Sequence, residues 1–241
     1  MKHLGILAHS VEGAALCLRT FCQHGFSALG PHQHPDVTLD CIAMGRSMPA
    51  WDAGDHASIR QILAESVRRL HRAGAEFFVC PDNTAHIALG HPGEALALPG
   101  LHIADVVAQT ARRDGRRKVG ILGTRYTMGD PMYPAAFARE GIDSAIPNDR
   151  DRDVVHTTIF EELVEGVFTD RARDAFVGII RRLAEQGCDT VALVCTEIPL
   201  LVPQDASPLP VLDSTRLLAG AAFQVAVGNV ELPRWYGGLR G

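Results

Sequence analysis

A helix ending in glycine, a short apolar run and a polar loop follow one another twice in this chain of 241 residues. The first copy passes from Arg72-Ala73-Gly74-Ala75-Glu76 through Phe77-Phe78-Val79-Cys80 to Pro81-Asp82-Asn83-Thr84-Ala85-His86. The second passes from Glu185-Gln186-Gly187-Cys188-Asp189 through Thr190–Cys195 to Thr196-Glu197. An apolar run of four to six residues punctuated by Gly and Pro reads as a strand buried on both faces. Such strands belong to parallel sheets covered by crossover helices, so the repeat predicts an α/β fold. It also delivers Asp82 from one half and Cys195 from the other. If the halves face each other, one acid–base group stands on each side of a small cleft, which suits proton transfer at a carbon approached from opposite faces.

The rest of the chain alternates in the same way. Leu4–Ala8 and Val37–Ala43 read as strands, with a helix from Gly13 to about Cys22 between them. Ser58–Ala73 carries Ile59, Ile62, Leu63, Val67 and Leu70 as a helical stripe. Ala104–Arg113, Tyr133–Glu140, Phe160–Val167, Ala172–Gln186 and Arg216–Val227 read as helices. Lys118–Gly123 and Val211–Asp213 read as strands. The tail from Gly228 onward, rich in Gly, Pro and Arg, is expected to be peripheral or mobile. Domain limits are expected at 1–104 plus 214–241 for the first domain and 105–213 for the second.

Several function classes are disfavoured at once. A formal charge of −5 supplies no basic surface for nucleic acid. No apolar run approaches the ~20 residues of a membrane span, and the start of the chain is too short in apolar residues for a secretory signal. The six cysteines show no CxxC spacing, which argues against a disulfide framework and a structural zinc. A cytoplasmic address, no membrane and no metal are therefore expected. There is no phosphate-binding glycine loop, and no serine in a nucleophile elbow. Lys2 and Lys118, the two lysines, are away from the strand ends where pyridoxal phosphate chemistry would need one.

In open parallel sheets ligands bind beyond the C-terminal ends of the strands. Gly123-Thr124, Asp82-Asn83-Thr84 and Cys195-Thr196-Glu197 all fall there. Cys195 reads either as a small apolar strand residue or as a thiol at the start of a helix, where its proton is held less tightly. Asp82 reads as a helix cap, a role compatible with chemistry at the mouth of the sheet. His86, four residues on, is expected to hold a local hydrogen bond. The hydroxyls and amides of Asn83, Thr84, Thr124, Thr127 and Thr196 suit a small carboxylate, with Arg46 and Arg125 as available counter-charges.

At these residues the chain resembles a known family. Asp82-Asn83-Thr84-Ala85-His86 is similar to the CNTxH segment of the aspartate/glutamate racemase superfamily, and Cys195-Thr196-Glu197 to its CTE segment. Gly120–Met128 and Ile159–Leu163 resemble the branch of amino-acid racemases acting on aspartate and glutamate. The resemblance implies two pseudo-symmetric α/β domains, each a mostly parallel sheet flanked by helices, with the active site in the interdomain cleft. It implies a cofactor-independent racemase of a small acidic amino acid or close derivative, no metal, and a homodimer. Two thiols work on opposite faces of the α-carbon in that family; Cys195 matches the second, and Asp82 stands at the place of the first. Asn83, Thr84, Thr124, Thr127 and Thr196 match carboxylate-holding positions. The glycine-rich start common in relatives is replaced by Ala8-His9-Ser10-Val11-Glu12-Gly13, and a Pro-Asp-Arg element by Gly45-Arg46-Ser47-Met48. Ser10 and Arg46, in those two stretches, complete the expected substrate-binding set. Alternatives are a single-thiol relative acting as decarboxylase, cis-dicarboxylate isomerase, hydantoin racemase or lyase/hydrolase, and a non-catalytic carboxylate-binding protein.

An aspartate beside a thiol changes the acid–base balance. Unperturbed, the two groups titrate near ~3.9 and ~8.5. Desolvation and a neighbouring thiolate are expected to push Asp82 upward and favour its protonated form, the pair sharing one proton: the Cys195 thiolate abstracts and protonated Asp82 donates, or the reverse.

Overall fold

The computed structural model describes residues 1–239. It divides into two compact units, Met1–Ile103 with Leu218–Gly241, and Ala104–Leu217. The elements are β1 (Leu4–Ala8), α1 (Val11–Leu29), β2 (Val37–Cys41), α2 (Met48–Asp52), α3 (His56–Arg72), β3 (Phe77–Val79) and α4 (Ala85–Leu89). They continue with α5 (Ile103–Arg113), β4 (Lys118–Gly123), α6 (Arg125–Gly129), α7 (Met132–Arg139), β5 (Asp143–Ala145) and α8 (Asp149–Glu161). Then come α9 (Asp170–Glu185), β6 (Thr190–Val194), α10 (Ile198–Leu201), β7 (Val211–Asp213) and α11 (Ser214–Ala226).

Each unit holds one all-parallel sheet, in order β2-β1-β3 and β5-β4-β6-β7. The first three positions correspond, with a central strand flanked by its two successors. The expected α/β class with parallel sheets between helices is what the chain adopts. Strands β1, β3 and β6 are buried along their whole length, which is why they read as unbroken apolar runs rather than alternating ones. The core of the first unit gathers Leu7, Leu63, Leu70 and Phe78, and that of the second Ile121, Phe176, Leu183 and Leu193. A fully buried side chain of this size contributes about 1.5–3 kcal/mol.

The repeated helix-glycine-strand turn has a backbone cause. Gly74 and Gly187 hold φ of 91° and 87°, a left-handed conformation that other residues adopt only at a cost. Each ends a long amphipathic helix, α3 or α9, and returns the chain into the sheet. The two helices start alike as well: the Asp55 and Thr169 side chains accept the backbone N–H groups of Ser58 and Ala172.

Three sequence expectations change. Helix α1 continues past Cys22 to Leu29. Gly25 does not stop it, because this glycine lets the helix lie against Gln33 and His34, where a Cβ would come within 2.6 Å. In place of a helix over 160–167, α8 ends at Glu161 and a single 3-10 turn covers Leu163–Glu165. Its start was hidden in a charged run: Asn148 caps it by accepting the Asp151 N–H at 3.0 Å, and its buried residues are Asp151, Val155, Thr158 and Ile159, two of them apolar. The tail, finally, is docked. Trp235 is 4% exposed, stacks on His86 and Phe78, and accepts the Gly100 N–H at its carbonyl at 2.7 Å. Tyr236 accepts from Leu96 in the same way, and Gly238 donates to Leu89. An aromatic with a polar handle outweighs the flexible composition around it. Arg240 and Gly241 lie outside the described residues. Among the described residues no helix is long and apolar enough to cross a membrane.

Candidate active site

In the first unit the register of the parallel ladder sets the geometry. Ile6 pairs with Val79, so the third residues beyond them, His9 and Asp82, leave neighbouring strand ends at the same level. Both are buried, at 4% and 9% exposure. His9 Nδ1 lies 2.6 Å from Asp82 Oδ2, and the other carboxylate oxygen accepts the Ala85 N–H at 3.2 Å. His9 Nε2 lies 2.8 Å from the Ser47 hydroxyl, which also approaches the Met44 carbonyl at 2.9 Å. The N-cap position of the short helix α4 is Thr84 rather than Asp82; Asp82, two residues earlier, holds the first N–H of the helix through one oxygen while the other is committed to an imidazole.

That imidazole overturns the expected protonation of Asp82. Burial does push its carboxyl upward. The hydrogen bond and charge of His9, the Ala85 N–H and the charge of His86 together more than offset burial, and hold the group below the usual carboxylate range. Asp82 is thus a carboxylate, which accepts hydrogen bonds and donates none. His9 Nδ1 must then carry the hydrogen that joins them. Close by, Cys80 is fully buried, and burial drives its thiol well above its ordinary value. His86 meets the Cys80 carbonyl through Nε2 at 3.0 Å, the local role expected of it.

The remaining expected residues of this unit divide. Asn83 and Thr84 follow Asp82 in the β3–α4 loop, with Asn83 buried at 3% exposure. Ser10 sits one residue after His9 and caps α1 by accepting the Gly13 N–H at 3.3 Å. Arg46 lies on an exposed turn, and its guanidinium pairs with Glu65 of α3 at 2.9 Å. No hydrogen bond links it to the Asp82 cluster.

In the second unit Gly123 pairs with Val194, so Thr124 and Cys195 are the first residues past two adjacent strand ends. Thr124 caps α6: its Oγ1 accepts the Thr127 N–H at 3.2 Å and lies 3.0 Å from the Thr127 hydroxyl. Both threonines are buried, as is Thr196. The Cys195 thiol donates to Glu197 Oε2 at 2.9 Å, and Glu197 is itself only 6% exposed. A buried carboxylate beside a thiol is a ready destination for its proton. Helix α10 begins just after Glu197 and has only four residues.

Sequence reasoning did not select His9, Ser47 or Glu197. A signal for His9 existed: it is the first residue past the apolar strand Leu4–Ala8. Nothing in the sequence foretells Ser47, which arrives from the turn after β2. Among the described residues no group of three or more His, Cys, Asp or Glu side chains is arranged to hold a metal ion.

Comparison with known proteins adds a relation to this geometry. A family profile described as Asp/Glu/Hydantoin racemase matches residues 22–222. The glutamate racemase of Pseudomonas entomophila (strain L48) is 31% identical over 193 residues, or 77% of this chain and 70% of that protein. The broad specificity amino-acid racemase RacX of Bacillus subtilis (strain 168) is 23% identical over 172 residues, covering 68% of this chain and 71% of its own. A crystal structure from Yersinia pestis, described as an Asp/Glu racemase candidate, matches with a TM-score of 0.84 and 33% identity, covering 94% of this chain and 100% of that one. An aspartate racemase homologue from Pyrococcus horikoshii OT3 matches in fold, with a TM-score of 0.79 at 24% identity and coverage of 94% and 100%.

Proposed function

The chain belongs to the Asp/Glu/Hydantoin racemase family, and from that premise we propose that it racemises a small acidic amino acid, aspartate or glutamate, or a close derivative, without a cofactor. Cys195 and Asp82 are the two acid–base groups, one for each face of the α-carbon. Asn83, Thr84, Thr124, Thr127 and Thr196 hold the substrate's carboxylates through hydroxyl and amide groups, with Ser10 and Arg46 as further candidates. The reading includes a cytoplasmic homodimer.

The observation that carries it is the Cys195 thiol donating to Glu197 at 2.9 Å. A thiol whose proton has a carboxylate to go to can alternate between acid and base, as inversion at carbon requires. Asp82 enters as carboxylate, so the resting pair is Asp82 as base and Cys195 as acid. When the α C–H bond breaks, its proton forms an O–H bond on Asp82 and the electron pair stays on carbon. The thiol then supplies a proton from the other face, and its sulfur keeps the electron pair.

L- and D-aspartate and L- and D-glutamate in deuterated buffer test the reading, with optical rotation and loss of the α-proton signal followed together. Inversion with α-deuteration is expected, and Cys195→Ser is expected to abolish inversion. Near-normal inversion in that variant would sink the role given to the thiol.

A second reading is favoured by the His9–Asp82 pair itself. A carboxylate in place of a second thiol suits a one-thiol reaction in which Cys195 alone protonates carbon, as in decarboxylation of a substituted malonate. Carbon dioxide released from an arylmalonate, with no inversion of any amino acid, would select that reading.

A further inference from the structure

Asp82, His9, Ser47 and Met44 form one buried line of hydrogen bonds, from Oδ2 to Nδ1 at 2.6 Å, Nε2 to Oγ at 2.8 Å, and Oγ to the carbonyl at 2.9 Å. Three separate segments supply it: the end of β1, the end of β3, and the turn after β2. His9 is 4% exposed and Ser47 0%, so these bonds lie away from bulk solvent.

Counting hydrogens along the line limits its states. Ionised Asp82 accepts only, so Nδ1 donates to it. A serine hydroxyl has one hydrogen. Given to the Met44 carbonyl, it leaves Nε2 to donate to Oγ, and the ring holds two protons. Turned toward Nε2, it leaves the ring with one. A rotation of one hydroxyl therefore accompanies any change in the proton content of His9.

We propose that His9 is a positioning residue that keeps Asp82 an ionised, oriented proton acceptor, and that the Ser47 hydroxyl, by turning, lets the ring hold one or two protons as the charge of Asp82 changes. The inference rests on the reading of Asp82 as an acid–base group. His9 itself touches no substrate atom in this scheme. When Asp82 takes the proton from carbon its negative charge disappears, and the ring's second proton loses the partner that stabilised it. Loss of that proton, to carbon in the reverse turnover or to solvent, restores both. In effect, His9 favours the ionised carboxylate of the resting state, and Ser47 supplies the adjustable end of the line.

The test reads Asp82 directly. Aspartate carbonyls are labelled with carbon-13, the Asp82 signal is assigned by its loss in Asp82→Asn, and its titration is followed from pH 3 to 8. Wild type is expected to stay ionised through all but the acid end. In His9→Ala burial remains and the donor is gone, so the midpoint is expected to rise by about one pH unit or more. His9→Asn, whose amide nitrogen can stand in for Nδ1, is expected to recover most of the shift. The other titratable groups facing Asp82, Cys80 and His86, are retained in every variant. Should His9→Ala not fold, His9→Gln keeps the volume while moving the amide away from Oδ2, and the same rise is expected.

An unmoved Asp82 midpoint in His9→Ala or His9→Gln would overturn the inference. On the activity side, His9→Ala is expected to lower kcat for the inverted amino acid about 10- to 100-fold, with KM within about threefold. The two levels separate cleanly. If Asp82→Asn abolishes exchange but the Asp82 midpoint ignores His9, the inference fails and the proposed function stands. If the midpoint moves as expected but Asp82→Asn exchanges like wild type, the proposed function fails while His9 remains the residue that ionises Asp82.

Discussion

After β3 a carboxylate is surrounded by groups that donate to it; after β6 a thiol donates to a carboxylate that accepts. The backbone frames correspond: a long helix closed by a left-handed glycine, a strand buried on both faces, and a chemical group at the strand's C-terminal end. The proton polarity is opposite. His9 and the Ala85 N–H leave Asp82 as an acceptor, whereas Glu197 leaves Cys195 as a donor. A fold repeated within one chain thus supplies two corresponding places, and the hydrogen-bond partner found at each makes one group an acceptor and the other a donor.

The strongest way to break this comparison is to remove each end in turn. Asp82→Asn preserves the hydrogen bond from the Ala85 N–H but abolishes the base, and Cys195→Ser preserves the donor but weakens the acid. Each is expected to lower racemisation about 10²–10⁴-fold in steady-state assays. A loss confined to one of the two would show that only one end does chemistry.

Glu197→Gln sharpens the contrast further. The amide still accepts the thiol's hydrogen bond but does not take its proton, so kcat is expected to fall about 10- to 100-fold at nearly constant KM. An unchanged kcat would make Glu197 a structural neighbour only.

The sheets also differ at the edge beyond these strands. β6 is continued by β7 through three paired positions, whereas β3 is followed by an isolated bridge at Gly100 that Trp235 closes from its other side. Trp235→Ala is therefore expected to cost about 3–5 kcal/mol, lowering Tm. Hydrogen-exchange protection should fall more in β1 and β3 than in β4 and β6. Equal loss in both sheets would remove this distinction.

The smallest expected effect is the acid sensitivity of the Asp82 end. Its carboxyl lies below the model-compound value of 3.8. A carboxyl depressed in the folded state adds stability above its unfolded value, and that increment is lost as pH falls through the folded one. The stability difference between wild type and Asp82→Asn is expected to be level above about pH 5 and to shrink below 3.8. A difference that grows on acidification would contradict an ionised Asp82.

Strands β1 and β4 were readable to the residue because local apolar composition defines a strand buried on both faces; the limits of β7 were read correctly too. The start of α8 was not, since its buried stripe is sparse and its capping residue opens a run of charges. The docking of Trp235 was hidden for a related reason: flexible composition describes a segment, not the groove that receives its one large ring. At the site, Asp82 and Cys195 could be singled out by their places after matching strands. The partners at the Asp82 end could not be ranked in the same way, because the hydrogen bonds of His9 connect residues 73 and 38 positions apart.

The amino-acid sequence alone determined the layered α/β architecture, the repeated half and the two strand ends where chemistry could sit, because periodicity and glycine placement act over a few neighbouring residues. Tertiary structure alone decided that His9 meets Asp82 and Ser47, and so that the carboxyl is ionised despite its burial. Desolvation and hydrogen bonding oppose each other there, and the winner depends on an interatomic distance that no local pattern contains.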